Sequence, residues 1–232
     1  MKRSLSLIAA CFALVGNAHA IDGVLFGDSN NSVVSNKLTI NGSINTAIVN
    51  AGWYGDTGLH VVDPRPGYAD YLVGVCSACA LEDEPGAYND WFVVDLTGFT
   101  PATTVTSLTL TLNSFYVSSA GTFKVWDYLG AIDVLPQDSP AGATGIGIYD
   151  DLGSGNLYGS FAYQGTEGYA YQTIQLSSYA IADLNAAIAS GDDQWAFGGS
   201  FAPTAPIPEP ETYALMLAGL GLVGWMARRR KA

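Results

Sequence analysis

Two stretches near the middle of the chain alternate apolar and polar residues with period two, and this pattern constrains the fold more than any other feature. Residues 104–111 read Thr-Val-Thr-Ser-Leu-Thr-Leu-Thr, with Val105, Leu108 and Leu110 marking the apolar side and one slip near Ser107. Residues 122–128 read Thr-Phe-Lys-Val-Trp-Asp-Tyr and alternate again. A strand turns successive side chains to opposite faces, so this spacing predicts half-buried strands. Phe115-Tyr116-Val117 prolongs the first strand and residues 118–121 supply a turn, so the two are expected to form a hairpin. Further strands are expected at 22–27, 32–40, 44–49, 69–75, 91–96, 144–149, 156–164, 169–176 and 194–201, punctuated by Gly, Asn, Asp and Pro. Many short strands at such spacing predict an all-β body, an antiparallel β-sandwich or jelly roll. One segment departs from the pattern. In residues 179–190, Ile181, Leu184 and Ile188 fall at i, i+3 and i+7, a helical stripe that Ser178 is placed to cap at its start and Gly191 at its end. The expectation is therefore a sandwich with one short helix near its C-terminal end and no internal repeat.

The two ends of the 232-residue chain do not belong to that pattern. Lys2-Arg3 precedes an eleven-residue apolar run, 5–15, and Ala18-His19-Ala20 follows with small residues flanking a bond after Ala20. Charge, short apolar run and small-x-small site, in that order, predict a signal peptide over 1–20, cleaved after Ala20. The run is too short to span a bilayer, which takes about 20 apolar residues. Its removal also takes Cys11 and His19, leaving one His, His60, and two Cys, Cys76 and Cys79.

The other end opens with a Pro-rich linker, 202–206, and continues through Ile207 into Pro208-Glu209-Pro210. Its prolines remove backbone donors and favour an extended chain. Fifteen mostly apolar residues, 213–227, follow, and Arg228-Arg229-Arg230-Lys231 closes the tail. An apolar helix ending in a basic cluster sets its C-terminus on the cytoplasmic side. At 1.5 Å per residue such a helix covers about 22 Å, short for a hydrocarbon core of about 30 Å. It suits a disposable single transmembrane anchor.

The order Pro208-Glu209-Pro210, apolar helix, basic cluster resembles the PEP-CTERM sorting signal of Gram-negative bacteria, here spanning 207–232. The resemblance implies export, transient anchoring, processing of the tail by an exosortase, and delivery to the cell surface or an extracellular polysaccharide matrix. Leu184-Asn185-Ala186-Ala187, Gly191 and Trp195-Ala196-Phe197-Gly198-Gly199-Ser200-Phe201 are similar to the end of sandwich domains common among exosortase substrates, which implies a fold for 21–201 and no activity.

Several local patterns in the body offer chemistry, and each is better read as structure. Gly27-Asp28-Ser29 resembles the block of the GDSL esterases in which the serine is the nucleophile. Those enzymes need a downstream His base; no His follows His60, and a serine hydroxyl without a base is a weak nucleophile. Asp56-Thr57-Gly58 matches the aspartic-protease triplet, but that chemistry needs two carboxylates sharing a proton and the chain holds one copy. Cys76-Ser77-Ala78-Cys79 lacks the second pair or the His ligands of a metal site. Its acidic neighbours Glu82, Asp83 and Glu84 disfavour a thiolate, so in an exported chain a structural disulfide is expected. Asp150-Asp151, Asp192-Asp193 and 82–84 offer oxygen ligands for Ca²⁺ without the spacing of an EF-hand, and are read as solvated loop acids. Trp53, Tyr54, Trp91, Trp126 and Trp195 could stack on sugars, though strand positions predict core.

Charge narrows the partners. Residues 21–206 hold three bases, Lys37, Arg65 and Lys124, against 19 acids, a net of −16. That excludes nucleic acid, which is held by a basic face. The sequence thus points to an exported, non-enzymatic surface or matrix protein with no cofactor and no metal. Its expected partners are the secretion machinery, an exosortase, the membrane before processing, and exopolysaccharide. A carbohydrate-binding module on the same scaffold is the alternative reading, and a secreted hydrolase a more remote one.

Overall fold

The computed structural model describes residues 21–26, 36–58, 60–61, 71–76, 86–137 and 142–204. They form eleven strands: β1 (Ile21–Phe26), β2 (Lys37–Ile40), β3 (Ile44–Gly55), β4 (His60–Val61), β5 (Tyr71–Cys76), β6 (Gly86–Asp95), β7 (Leu108–Val117), β8 (Ala120–Asp127), β9 (Leu157–Gln164), β10 (Ala170–Gln175) and β11 (Gln194–Pro203). Two α-helices join them, α1 (Ala143–Leu152) and α2 (Ser178–Ser190), with a 3-10 turn at Ile132–Val134. The architecture is mostly antiparallel β-sheet with two helices.

The strands pair in the order β4-β3-β2-β7-β1-β5-β6-β11-β8-β9, with β10 added to β7 and a further pairing between β3 and β6. That last pairing brings the path β3-β2-β7-β1-β5-β6 back to its start. β3 makes this possible by its length. Its residues 44–47 pair with β2, its later residues with β6, and the register shifts between Ile48 and Asn50. An extra residue at such a shift bends a strand and increases its twist.

β6 is the centre of the molecule, buried on both faces from Tyr88 to Val94. Phe92 and Val94 face the main core, where Phe26 meets Phe123 at 4.9 Å and Phe92 stacks on Phe197 at 5.2 Å. Trp91 and Val93 face a second cluster with Tyr54, Leu135, Ile148 and Leu152, which α1 helps to roof. Each large apolar side chain so buried contributes about 1.5–3 kcal/mol. α1 approaches closely because Gly198 lies beneath it: a Cβ there would stand 2.4 Å from the carbonyl oxygen of Leu152.

Three expectations are corrected. Residues 144–149 are helical, not a strand, so the body has two helices rather than one. Ile146 and Ile148 suggest period two, but Gly145, Ile148 and Leu152 are the buried positions, at i, i+3 and i+7. Packing over β6 overrides the weak helix propensity of two glycines. The hairpin expected between 115–117 and 122–128 does not form. β7 pairs with β1, β2 and β10, while β8 pairs with β9 and β11. Ser118, in the connection, bonds Gly23 of β1 through both its backbone and its hydroxyl. Finally, 104–107 are not strand, and β7 starts at Leu108. Side-chain amides take up that backbone instead: Asn41 Oδ1 accepts from Thr106 and Ser107, and Asn185 bonds both the N–H and the C=O of Val105. The helix expected at 179–190 forms as Ser178–Ser190; Ser177 rather than Ser178 takes the N-cap position, its hydroxyl donating to the Leu157 carbonyl instead of capping the helix, and Gly191 closes it in the left-handed conformation.

Candidate functional site

A surface depression of about 380 Å³ opens where the start of β3 meets the loop after β6, lined by Ile44, Asn45, Thr46, Asp95, Phe99 and Thr103 among others. Local hydrogen bonding shapes it. The Asp95 carboxylate accepts from the backbone N–H of Thr97 at 2.9 Å, and the Thr46 hydroxyl donates to the Asp95 carbonyl at 3.0 Å. Asn45 Oδ1 accepts from the Thr39 hydroxyl at 2.7 Å, and Thr103 Oγ1 from the N–H of Thr100. The Thr97 bonds hold the Asp95 carboxyl below its ordinary value, so it is ionised at neutral pH. The lining offers hydroxyls, an amide, one carboxylate and one ring, and it pairs no nucleophile with a base. Its chemistry is hydrogen bonding to a polar ligand, with one carboxylate that disfavours anions.

The most unusual polar group lies elsewhere, on β6. Asp90 is fully buried, and neither carboxylate oxygen has a hydrogen-bond partner. Asn36, Asn89, Ser114 and Asp127, also buried, are each bonded: Asn89 to the Tyr149 carbonyl, Asn36 to the Asn113 N–H, Ser114 to the Tyr163 hydroxyl, and Asp127 to Asn156. Asp90 sits in register with Trp53 of β3 and Gly199 of β11. The Trp53 indole N–H is likewise buried without a partner. The carboxyl has room because residue 199 is glycine; a Cβ there would lie 2.2 Å from Asp90 Oδ1. Burial drives the Asp90 pKa well above the ordinary range, favouring the neutral acid. Sequence patterning gave no hint of it, because an acid within an apolar strand reads as an outward position.

The rings singled out in the sequence are mostly core. Trp53, Tyr54, Trp91 and Trp195 are buried, and Trp126 is half-buried, its indole donating to Ser200 at 2.8 Å with Lys124 over the ring. The exposed rings are tyrosines that the sequence did not single out: Tyr116, Tyr169, Tyr171 and Tyr179. Burial raises the hydroxyl pKa of Tyr54, Tyr158 and Tyr163, and pushes that of Tyr128 up to about 12, aided by Asp151 and Asp133. None of these phenols serves as a base near neutral pH.

The acidic candidates do not converge. Asp56 and Gly58 form the turn after β3, with the Asp56 N–H bonded to Ala87 and the Gly58 N–H to Gly55. Asp151 accepts from the N–H groups of Leu129 and Gly130. Asp192 and Asp193 lie in the turn after α2, where their backbone bonds Ala187 and Leu96. Among the described residues no group of three or more His, Cys, Asp or Glu is placed to hold a metal ion. Cys76 ends β5, buried, opposite Ile21 of β1. Ser29, Cys79, residues 82–84, Ala18, Ala20, Pro208, Glu209, Pro210, Arg228, Arg229, Arg230 and Lys231 lie outside the described residues.

Comparison with protein families matches residues 206–231 to the PEP-CTERM protein-sorting motif. No curated protein and no solved structure matches the chain. The motif identifies a PEP-CTERM sorting-motif protein and supports exosortase-dependent sorting of an exported chain.

Proposed function

We propose that the protein is a non-enzymatic component of the cell surface or extracellular matrix, and that its body is a β-sandwich presented outside the cell after an exosortase removes the tail. The observation that carries this is the sorting motif at 206–231, directly behind β11, which ends at Pro203. β11 is paired on both sides, with β6 and β8, so the tail leaves a finished interior strand. The pairing path that returns from β6 to β3 supports a closed two-layer body. The non-enzymatic reading rests on the sequence, where no His follows His60 to serve Ser29 as a base.

A disulfide between Cys76 and Cys79 belongs to this reading. Cys76 is buried at the end of β5, and loss of Cys11 with the signal would leave Cys79 as the other cysteine of the mature chain. Alkylation of two thiols without prior reduction, read by intact mass, would reject the pairing.

The experiment for the sorting reading is Glu209→Ala in the producing cell, followed by fractionation and immunoblotting. The expected outcome is export and membrane insertion with a trapped, unprocessed precursor. Processing and release at the wild-type level would overturn the assignment. The carbohydrate-binding reading would place a neutral polysaccharide in the depression beside Asn45 and Phe99; burial of the tryptophans counts against it.

A further inference from the structure

One dipeptide of the chain carries chemistry of its own. Asn41-Gly42 is the single Asn-Gly pair in the sequence, and it lies in the turn between β2 and β3. Both residues have positive φ, 52° and 71°, and both are exposed to solvent. A residue that follows asparagine shields its own backbone nitrogen with its Cβ, and glycine has none. Nothing else screens Gly42, since no heavy atom lies within 4 Å of where its Cβ would stand. Sequence and exposure therefore favour attack of the Gly42 nitrogen on the side-chain amide carbon of Asn41.

The fold opposes that attack. Both polar atoms of the Asn41 side chain are held by the connection into β7. Oδ1 accepts from the Thr106 N–H at 2.8 Å, the Thr106 hydroxyl at 3.0 Å and the Ser107 N–H at 3.3 Å, while Nδ2 donates to the Thr104 carbonyl at 2.8 Å. The Asn41 N–H donates to the Ser107 carbonyl at 3.0 Å. These partners lie 63 to 66 residues further along the chain, so only the folded chain supplies them. To swing over the Gly42 nitrogen the carboxamide must leave them. The same connection is fastened from its other side by α2, where Asn185 bonds both the N–H and the C=O of Val105. Asn185 makes its bonds to Val105 and Ile181, not to the turn.

We propose that Asn41 is a latent deamidation site, closed while residues 104–107 are docked on it and open once that connection comes away. In the reaction the Gly42 nitrogen gives up its proton to water or hydroxide and bonds to Asn41 Cγ. The Cγ–Nδ2 bond breaks, and the amide nitrogen leaves as ammonia with a proton from water. Water then opens the cyclic imide at either carbonyl, giving aspartate or iso-aspartate at position 41. The product does not rebuild the clamp. Aspartate has no Nδ2–H for the Thr104 carbonyl and sets a carboxylate oxygen against it. Iso-aspartate adds a methylene to the backbone of a tight turn. Openings of the connection are therefore recorded covalently at residue 41.

The test is incubation of the purified, exported and processed protein in mildly alkaline buffer, followed by peptide mapping. Fragment masses separate Asn41 from Asn45 and Asn50, which serve as internal controls. In the folded wild type, loss at Asn41 is expected to run about tenfold or more slower than in concentrated urea, because it waits on local opening. Asn185→Ala, folded in native buffer, should speed loss at Asn41 by about tenfold, with Asn45 and Asn50 unchanged. If that variant does not fold, Thr106→Val decides: it removes one of the Oδ1 bonds at an exposed position and should also deamidate faster than wild type. Loss at Asn41 as fast in the folded wild type as in urea, or a wild-type rate in the folded variant, would overturn the proposal.

Discussion

Asp90 sets a pH dependence that no surface group of this molecule would impose. Desolvation raises its pKa in the folded chain, while the unfolded chain gives up the proton near the ordinary value of about 3.9. The stability associated with that proton is present in full below about pH 4 and is lost as pH rises toward the folded value. Asp90→Asn keeps the shape and removes the titration. It is expected to melt a few degrees above wild type at pH 7–8, on a scale of about 2–4 °C per kcal/mol for a body of this size. The difference should shrink toward pH 4. Equal melting temperatures at neutral pH, measured by calorimetry, would show that the carboxyl has found a partner. The acid itself was visible in the sequence, but its orientation was not. In β6 both faces are buried, so alternation carries no information about which residues point outward.

Among elements, α2 was legible and α1 was not, and the contrast has a physical cause. α2 keeps its helical period over thirteen residues with Ala180, Leu184 and Ile188 buried, and glycine closes it. α1 has ten residues, two of them glycines, and an Ile-x-Ile that mimics a strand. The strands of the outer segments were found, yet their partners were not, because alternation fixes a face and leaves pairing to long-range contacts. The Asn41-Gly42 pair between β2 and β3, both at positive φ, is hairpin turn chemistry that the sequence reading passed over. α2 also braces the connection into β7 through Asn185, whose amide bonds Val105 N–H at 2.8 Å and C=O at 2.9 Å. Asn185→Ala leaves both backbone groups without that partner and should cost roughly 1–3 kcal/mol. Urea unfolding monitored by tryptophan fluorescence would measure it; a loss below about 0.5 kcal/mol would mean that water replaces the amide at little cost.

For the whole molecule, body and tail are expected to be separable. Every apolar cluster described lies between Val24 and Phe201, and the sorting motif begins at residue 206. Deleting 207–232 should therefore give an exported body with a cooperative melt within a few degrees of the processed protein, by circular dichroism. A truncated chain without a cooperative transition would place part of the fold in the tail. The tail itself was the most legible segment, because its order of proline, apolar run and basic cluster is a linear address that needs no folding to be recognised.

The position of β11 bears on how the chain leaves the cell. It is the last strand to be made and among the first that the fold requires, since it fills the gap between β6 and β8 and supplies Phe197 to the core. A polypeptide threaded across a membrane from its N-terminus would therefore hold β6 and β8 apart until Gln194–Pro203 has emerged. Only a few residues then separate completion of the body from the sorting motif at 206–231. Completion of the fold would thus come at the very end of the chain's passage, when Gln194–Pro203 has emerged.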